Sequence, residues 1–230
     1  MVARIEQQAA YVLHSRPYRD TSLLVDFFTL EQGRVSAVVQ GARRPGSRFR
    51  SILQPFVPVQ ISWRGRQELK TLQQAEAVGV TLLLNGNSLL CGLYVNELLQ
   101  RLLLPFDAHP RLYVYYQYVL NELLSAVDIE GGLRTFEHRL LNELGCLPDL
   151  TQLQREQLYL FQPGQGLVVT IAPTELERPC CFWGGQLQQI ANDDYSDPQV
   201  RRAAKRLMRL AIDHQLGGAP LRSRGLFQKM

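Results

Sequence analysis

Val57-Pro58-Val59-Gln60-Ile61-Ser62-Trp63 alternates apolar and polar residues without a slip. Val57, Val59, Ile61 and Trp63 share one face, which is the period-two pattern of a half-buried strand. Pro58 falls on the polar face and predicts an edge position, because proline has no N–H to give to a ladder. Downstream, Arg64-Gly65-Arg66-Gln67 supplies a turn and Glu68–Val78 returns as a further strand. Upstream, Gly33 turns the chain into Arg34–Gln40, where Val35, Ala37 and Val39 line one face. Before that come the β-branched and aromatic run Ser22–Thr29 and the short apolar run Tyr11–Leu13. Five short strands in the first 80 or so residues suit a small closed barrel of the oligonucleotide-binding (OB) type. The pattern alone leaves an SH3-like barrel open as the alternative.

Beyond about Leu82 the period becomes helical. Ser88–Leu104 is apolar nearly all round and stops at Pro105, which predicts a buried helix. Pro110 opens a second helix, at the position where proline is tolerated. Its apolar face reads Leu112, Tyr116, Val119, Leu120, Leu123, Leu124 and Val127. A third helix, Gly132–Leu144, carries Leu133, Phe136, Leu140, Leu141 and Leu144 and ends at Gly145. Residues 146–182 are irregular and partly strand-like at Gly166–Ile171. A last long helix takes Asp197 as N-cap and Pro198 in its first turn, and closes near Leu216-Gly217-Gly218. The expected class is α+β, with a barrel over residues 1–80 and a mostly helical domain over 81–230. The sequence shows no internal repeat.

Charge is divided unevenly along the chain. The net charge is +4, but residues 1–80 hold 11 Lys/Arg against 6 Asp/Glu. Residues 81–150 hold 4 against 8, and residues 151–230 hold 10 against 7. Arginine supplies 22 of the 25 cations, a bias that favours phosphate, whose oxygens a guanidinium fork meets two at a time. No run reaches the roughly 18 apolar residues of a membrane span, and the first residues lack a signal-peptide pattern. Four irregularly spaced cysteines (Cys91, Cys146, Cys180 and Cys181) do not make a disulfide framework, so a reducing cytoplasm is expected.

The densest cationic stretch is Gly41-Ala42-Arg43-Arg44-Pro45-Gly46-Ser47-Arg48-Phe49-Arg50-Ser51. A mobile loop with four arginines, one aromatic and no acid is suited to gripping a polyanion. The same charges would also serve solubility alone. Its glycines mimic a P-loop, but the lysine is missing and Pro45 removes a backbone donor. The last helix adds a second cationic stripe at Arg202, Lys205, Arg206 and Arg209, spaced to project together. Like charges at that spacing repel by a few tenths of a kcal/mol per pair, so the stripe points to an anionic partner, a phosphate backbone or an acidic peptide, or else to a solvated face. His214, on the apolar side of that helix, reads as a packing residue. His14, His109, His138 and His214 are scattered and form no nucleophilic or acid–base pattern. Structural zinc wants four Cys/His ligands in CxxC-type pairs, and Cys146, Cys180 and Cys181 do not provide them, with or without His138. No catalytic residue, metal or cofactor is expected.

The chain resembles the RecO family of bacterial DNA repair and recombination mediators. The resemblance rests on the order and spacing of AYVLHSRPYRDTSLLVDFFTLEQGRVSAVVQGARR, LQPF, ELKTLQQAEAV, SLLCGLYVNELLQRLL, GLRTFEHRLLNELG and VRRAAKRLMRLAIDHQLGGAPLRSRGLF. It implies an OB barrel followed by a helical domain, with binding of single- and double-stranded DNA and annealing of complementary strands. It also implies RecA loading with the partner RecR, and docking of the acidic C-terminal tail of single-strand-binding protein on the helical domain. Many relatives carry a four-cysteine zinc site after the third helix. Here LPDLTQLQREQLYLFQPGQGLVV has no cysteine, so the chain resembles the zinc-free branch.

The expected DNA contacts are Arg16, Arg19, Arg34, Arg43, Arg44, Arg48 and Arg50, with Arg64, Arg66 and Lys70 behind them and Phe49 placed to stack on a base. The expected tail contacts are Arg202, Lys205, Arg206 and Arg209, with Arg134 or Arg139. A cytoplasmic, nucleoid-associated protein follows. An RNA-binding or ribosome-associated barrel is the alternative, whereas a nuclease or ligase lacks its acidic cluster or nucleophilic lysine.

Overall fold

The computed structural model describes residues 4–79 and 81–227. Five strands, β1 (Arg4–Tyr18), β2 (Ser22–Thr29), β3 (Gly33–Val39), β4 (Pro58–Arg64) and β5 (Lys70–Ala77), close into a barrel in the order β1-β2-β3-β5-β4. All neighbours are antiparallel except β3 and β5, where Ala37 faces Lys70 and Val38 faces Thr71. This is the five-stranded OB arrangement, not the SH3-like alternative. Closure corrects the reading of Pro58. β4 pairs with both β1 and β5, so it is not an edge strand, and Pro58 is tolerated because it is the strand's first residue.

The first strand runs 15 residues, far beyond the Tyr11–Leu13 run that was legible. Its N-terminal half pairs with β4 and its C-terminal half with β2, with register shifts at Ile5/Gln8 and Val12/His14. Such bulges bend a strand, which is what serving both sides of a small barrel requires. Period two then sorts the residues: Ala10, Val12, Val25, Phe27, Val35, Ala37, Val39, Val59, Ile61, Trp63 and Leu72 fill the interior.

Three helices accompany these strands in the same compact unit. The single turn α1 (Phe49–Ile52) lies between β3 and β4. α2 (Gly86–Leu102) and α3 (Pro110–Ser125) pack on the outside of β1 and β2. There Tyr11 meets Tyr116 edge-on at 5.0 Å between ring centres, and Phe28 lies 5.4 Å from Tyr113. At the Val12/His14 bulge the Asn96 side chain of α2 donates to the carbonyls of Val12 and Leu13, at 3.3 and 3.1 Å. Asn96 in turn accepts from the buried Tyr116 hydroxyl at 2.7 Å. The polar atoms exposed by the bulge are thereby satisfied inside an aromatic core. Leu124 and Val127 do not continue the buried face of α3; both are exposed, and Val127 lies past the helix end.

The molecule forms two compact units, Met1–Leu124 with Leu221–Met230, and Ser125–Pro220. The change from strand to helix near residue 81 therefore falls inside the first unit. That unit also holds a short C-terminal helix, Arg222–Leu226, whose first N–H groups and Ser223 hydroxyl are accepted by the Glu97 carboxylate at 2.5–2.8 Å.

The second unit contains α4 (Ile129–Glu143), a three-stranded sheet, α5 (Gly184–Ala191) and α6 (Pro198–Gln215). The sheet has β6 (Leu158–Gln162) between β7 (Gly166–Val169) and β8 (Cys181–Trp183). Asp128 caps α4 by accepting from Gly131 N–H at 3.0 Å, and Asp197 caps α6 as its sequence predicts. Val200, Ala203, Ala204, Leu207 and Ala211 are buried, joined by Met208 and Ile212. His214 is exposed instead, since it sits in the last turn, past the packed face. None of the four cysteines, all of them among the described residues, is in a disulfide.

Candidate nucleic-acid interface

The arginines of the barrel gather around the end of β3. Val39 pairs with Leu23, just after the β1–β2 turn, while Ala37 and Val38 pair with Lys70 and Thr71, just after the β4–β5 turn. The last three residues of one strand thus have both turns as neighbours and lead directly into the 41–51 segment. That segment is not a free loop. Arg43 N–H donates to Thr21 O at 2.9 Å, and the Arg43 guanidinium donates to the Asp20 and Arg19 carbonyls at 3.2 and 3.4 Å. Turns follow at Arg44, Ser47 and Arg50, and the segment ends in α1. The β1–β2 turn and the arginine segment therefore form one surface.

On this surface Arg16, Arg19, Arg43, Arg44, Arg48, Arg50 and Arg64 are exposed. Among the described residues, no carboxylate stands within salt-bridge distance of any of these seven. Concentrated, unneutralised guanidinium charge at strand-connecting turns is what a phosphate chain would meet. Arg66 is exposed in the β4–β5 turn, where Lys70 donates to Gln67 O at 2.6 Å.

Besides the half-buried Lys70, two expected contacts are placed differently from the rest. Arg34 is half-buried, and its Nε donates to Leu103 O at 2.9 Å, so it ties β3 to the end of α2. Phe49 is also half-buried and packs against the barrel core, with the Arg48 guanidinium 5.4 Å from its ring centre. The outer face of β2 is likewise occupied: Phe28 lies under α3, and Asp26 accepts from Gln100 of α2 at 2.7 Å. In an OB fold the strand 2–3 face and its flanking loops bind oligonucleotides. In this molecule the helices cover part of that face, and the cations stand on the loops.

In the second unit, Arg202, Lys205, Arg206 and Arg209 are all exposed on α6. Arg206 is partly committed, donating to Cys181 O at 3.1 Å and lying 5.1 Å from the Phe182 ring centre. Arg209 approaches Asp213 at 3.7 Å. Arg134 and Arg139 are engaged with acids. Arg134 is buried and pairs with Glu137 at 2.9 Å, and Arg139 makes a two-nitrogen contact with Asp193. His138, buried beside them, bonds Asp193 at 2.9 Å and Asn142 at 2.8 Å. Helical spacing gave no sign of the Asp193 contacts, because Asp193 is more than fifty residues away in sequence. Arg222 is exposed in the first unit, and Lys229 lies outside the described residues.

No group of three or more His, Cys, Asp or Glu side chains positioned to hold a metal ion occurs among the described residues. None of the described helices is long and apolar enough to cross a membrane.

Comparison with known proteins agrees with this architecture. The family model for the Recombination protein O N terminal matches residues 1–81, and that for the Recombination protein O C terminal matches residues 83–155. The DNA repair protein RecO of Pseudomonas aeruginosa is 46% identical over 226 residues, covering 96% of this chain and 94% of the relative. That of Cupriavidus metallidurans is 42% identical over 228 residues, 96% of this chain and 76% of the relative. That of Haemophilus influenzae is 39% identical over 229 residues, 96% and 95% of the two chains. An OB barrel with arginine-bearing turns, matched over nearly its whole length to such relatives, belongs to the RecO family of DNA repair and recombination proteins.

Proposed function

We propose that this chain is a recombination mediator that binds single- and double-stranded DNA through the surface around the end of β3 and anneals complementary strands. With RecR, it helps load RecA onto DNA coated by single-strand-binding protein. The observation that carries this reading is the convergence of the β1–β2 turn, the 41–51 segment and the start of β5, with exposed arginines lacking a carboxylate neighbour. Annealing follows from the same charges. Neutralised phosphates allow two like-charged strands to approach, and base pairing supplies the driving force, so no covalent step is needed.

The direct test replaces Arg43, Arg44, Arg48 and Arg50 together with alanine. Affinity should fall on every DNA sequence alike, with slower annealing, because phosphate contacts carry no sequence information. Unchanged binding would remove the segment from the interface, and a strong preference for RNA of the same sequence would favour the ribosome-associated alternative.

The α6 stripe is the proposed dock for the acidic tail of single-strand-binding protein. Arg202 and Lys205 are better probes than Arg206, whose contacts with Cys181 and Phe182 also support β8. The double variant Arg202→Glu and Lys205→Glu should weaken tail-peptide binding at least tenfold. Full retained affinity in a peptide titration would exclude the stripe. A nucleoid-associated protein of the cytoplasm is the setting this function requires.

A further inference from the structure

Leu53-Gln54-Pro55-Phe56 and Leu103-Leu104-Pro105-Phe106 are two copies of one short pattern, each directly after a helix. Both are built alike. The first leucine of each, Leu53 and Leu103, is buried, each proline forms a bridge to a barrel strand (Pro55 to Val12, Pro105 to Arg34), and each phenylalanine has a positive φ, +67° and +60°. Positive φ is uncommon for a bulky residue and persists where its surroundings hold it.

The two rings have different fates. Phe56 is 4% exposed and lies so close to Gly92 that a Cβ there would come within 2.8 Å of it. Phe106 is 38% exposed. Its backbone is nonetheless pinned: Phe106 N–H donates to Arg34 O at 3.0 Å, and Asp107 crosses Gly33 so tightly that a Cβ on Gly33 would lie 1.8 Å from its carbonyl oxygen. The Lys70 ammonium lies over one face of the Phe106 ring, 4.5 Å from its centre, and donates to the Gly65 and Gln67 carbonyls at 3.3 and 2.6 Å. Lys70 is the β5 residue that faces Ala37 near the end of β3.

From this placement we infer that Phe106 is a base-stacking platform of the DNA-binding surface, serving unpaired bases and not the phosphate chain. The inference rests on the proposal that this surface binds DNA. Phe49, the aromatic in the arginine segment, is packed against the core, whereas Phe106 offers ring surface to solvent at a rigid backbone position. A base needs one accessible π-face, and with Lys70 over one face of the ring the base stacks on the other. In a duplex the bases are already stacked on one another, so the ring contributes to single strands alone.

The test measures binding by fluorescence anisotropy for three ligands of equal length: a single-stranded oligonucleotide, the same backbone with abasic sites throughout, and a duplex. Phe106→Ala should weaken binding of the base-bearing single strand by roughly five- to a hundredfold and leave the abasic strand and the duplex unchanged. Phe106→Tyr, which keeps the ring, should bind like the parent protein. A 2-aminopurine base should be quenched on binding to the parent protein and not to Phe106→Ala. Equal losses on abasic and base-bearing strands, loss in Phe106→Tyr, or no loss at all would overturn the assignment. If the unaltered protein retains none of the three ligands, the DNA-binding reading itself fails and the platform with it.

Discussion

A single side chain, Asn96, joins the barrel to the helices laid on it. Its amide donates to the two carbonyls at the β1 bulge and its oxygen receives the Tyr116 hydroxyl, all away from solvent. Burial and the neighbouring Tyr11 and Tyr113 push the Tyr116 phenol well above its ordinary pKa, which favours the protonated form that donates to Asn96. Asn96→Leu keeps the volume but leaves three buried groups without their partner. It should lower stability by about 3 kcal/mol, read as a reduced urea midpoint with an unchanged slope. A loss below about 1 kcal/mol would mean that the bulge relaxes without the amide. Asn96 sits in an apolar helix whose periodicity says only that it is buried; the bulge it serves lies more than eighty residues earlier.

Among the elements, the C-terminal helix is held by one carboxylate. Burial would raise the Glu97 pKa, but the Ser223 hydroxyl, the Ser223 and Arg222 N–H groups and the Arg101 guanidinium together bring it below the ordinary value. A carboxylate with a depressed folded-state pKa stabilises above its unfolded pKa, and the contribution is lost as pH falls through the folded one. Protection of the amides of residues 221–227 against hydrogen exchange, taken relative to the intrinsic rate at each pH, should therefore be high at neutral pH and fall below about pH 4. Glu97→Gln should show less protection at pH 7 and no change of protection with pH; an unchanged profile would assign the docking to Leu221 packing alone. Other elements were legible to different degrees. The caps of α6, the terminus of α4 and the span of β2 follow from local chemistry that a short window contains. β6, β8 and α5 escaped notice, because short segments in a Pro-rich, irregular stretch carry too few residues for a period to emerge.

For the whole molecule, the division into units redistributes the charge. Met1–Leu124 with Leu221–Met230 holds 16 Lys/Arg against 9 Asp/Glu, whereas Ser125–Pro220 holds 9 against 12. The barrel unit is the cationic one, and the second unit is net acidic with one basic stripe on α6. Polyanion binding should then track the barrel unit and be strongly dependent on salt. With about five phosphates neutralised on single-stranded DNA, log K should fall against log salt with a slope near −3.5. Each arginine removed from the 41–51 segment should flatten the slope by about 0.7, and a flat dependence in the parent protein would eliminate the electrostatic mechanism.

The amino-acid order by itself determined the barrel, the helical remainder, the caps and the concentration of arginine at the turns, since period, capping and composition are properties of neighbouring residues. Which cations remain available was decided by the tertiary structure: Arg34 is drawn to Leu103 and Arg139 to Asp193. It also decided that one of two identical Pro-Phe steps hides its ring while the other shows it. Both outcomes depend on groups far away in sequence, because exposure and pairing are settled by what lies across space from a side chain and not by what lies beside it in the chain.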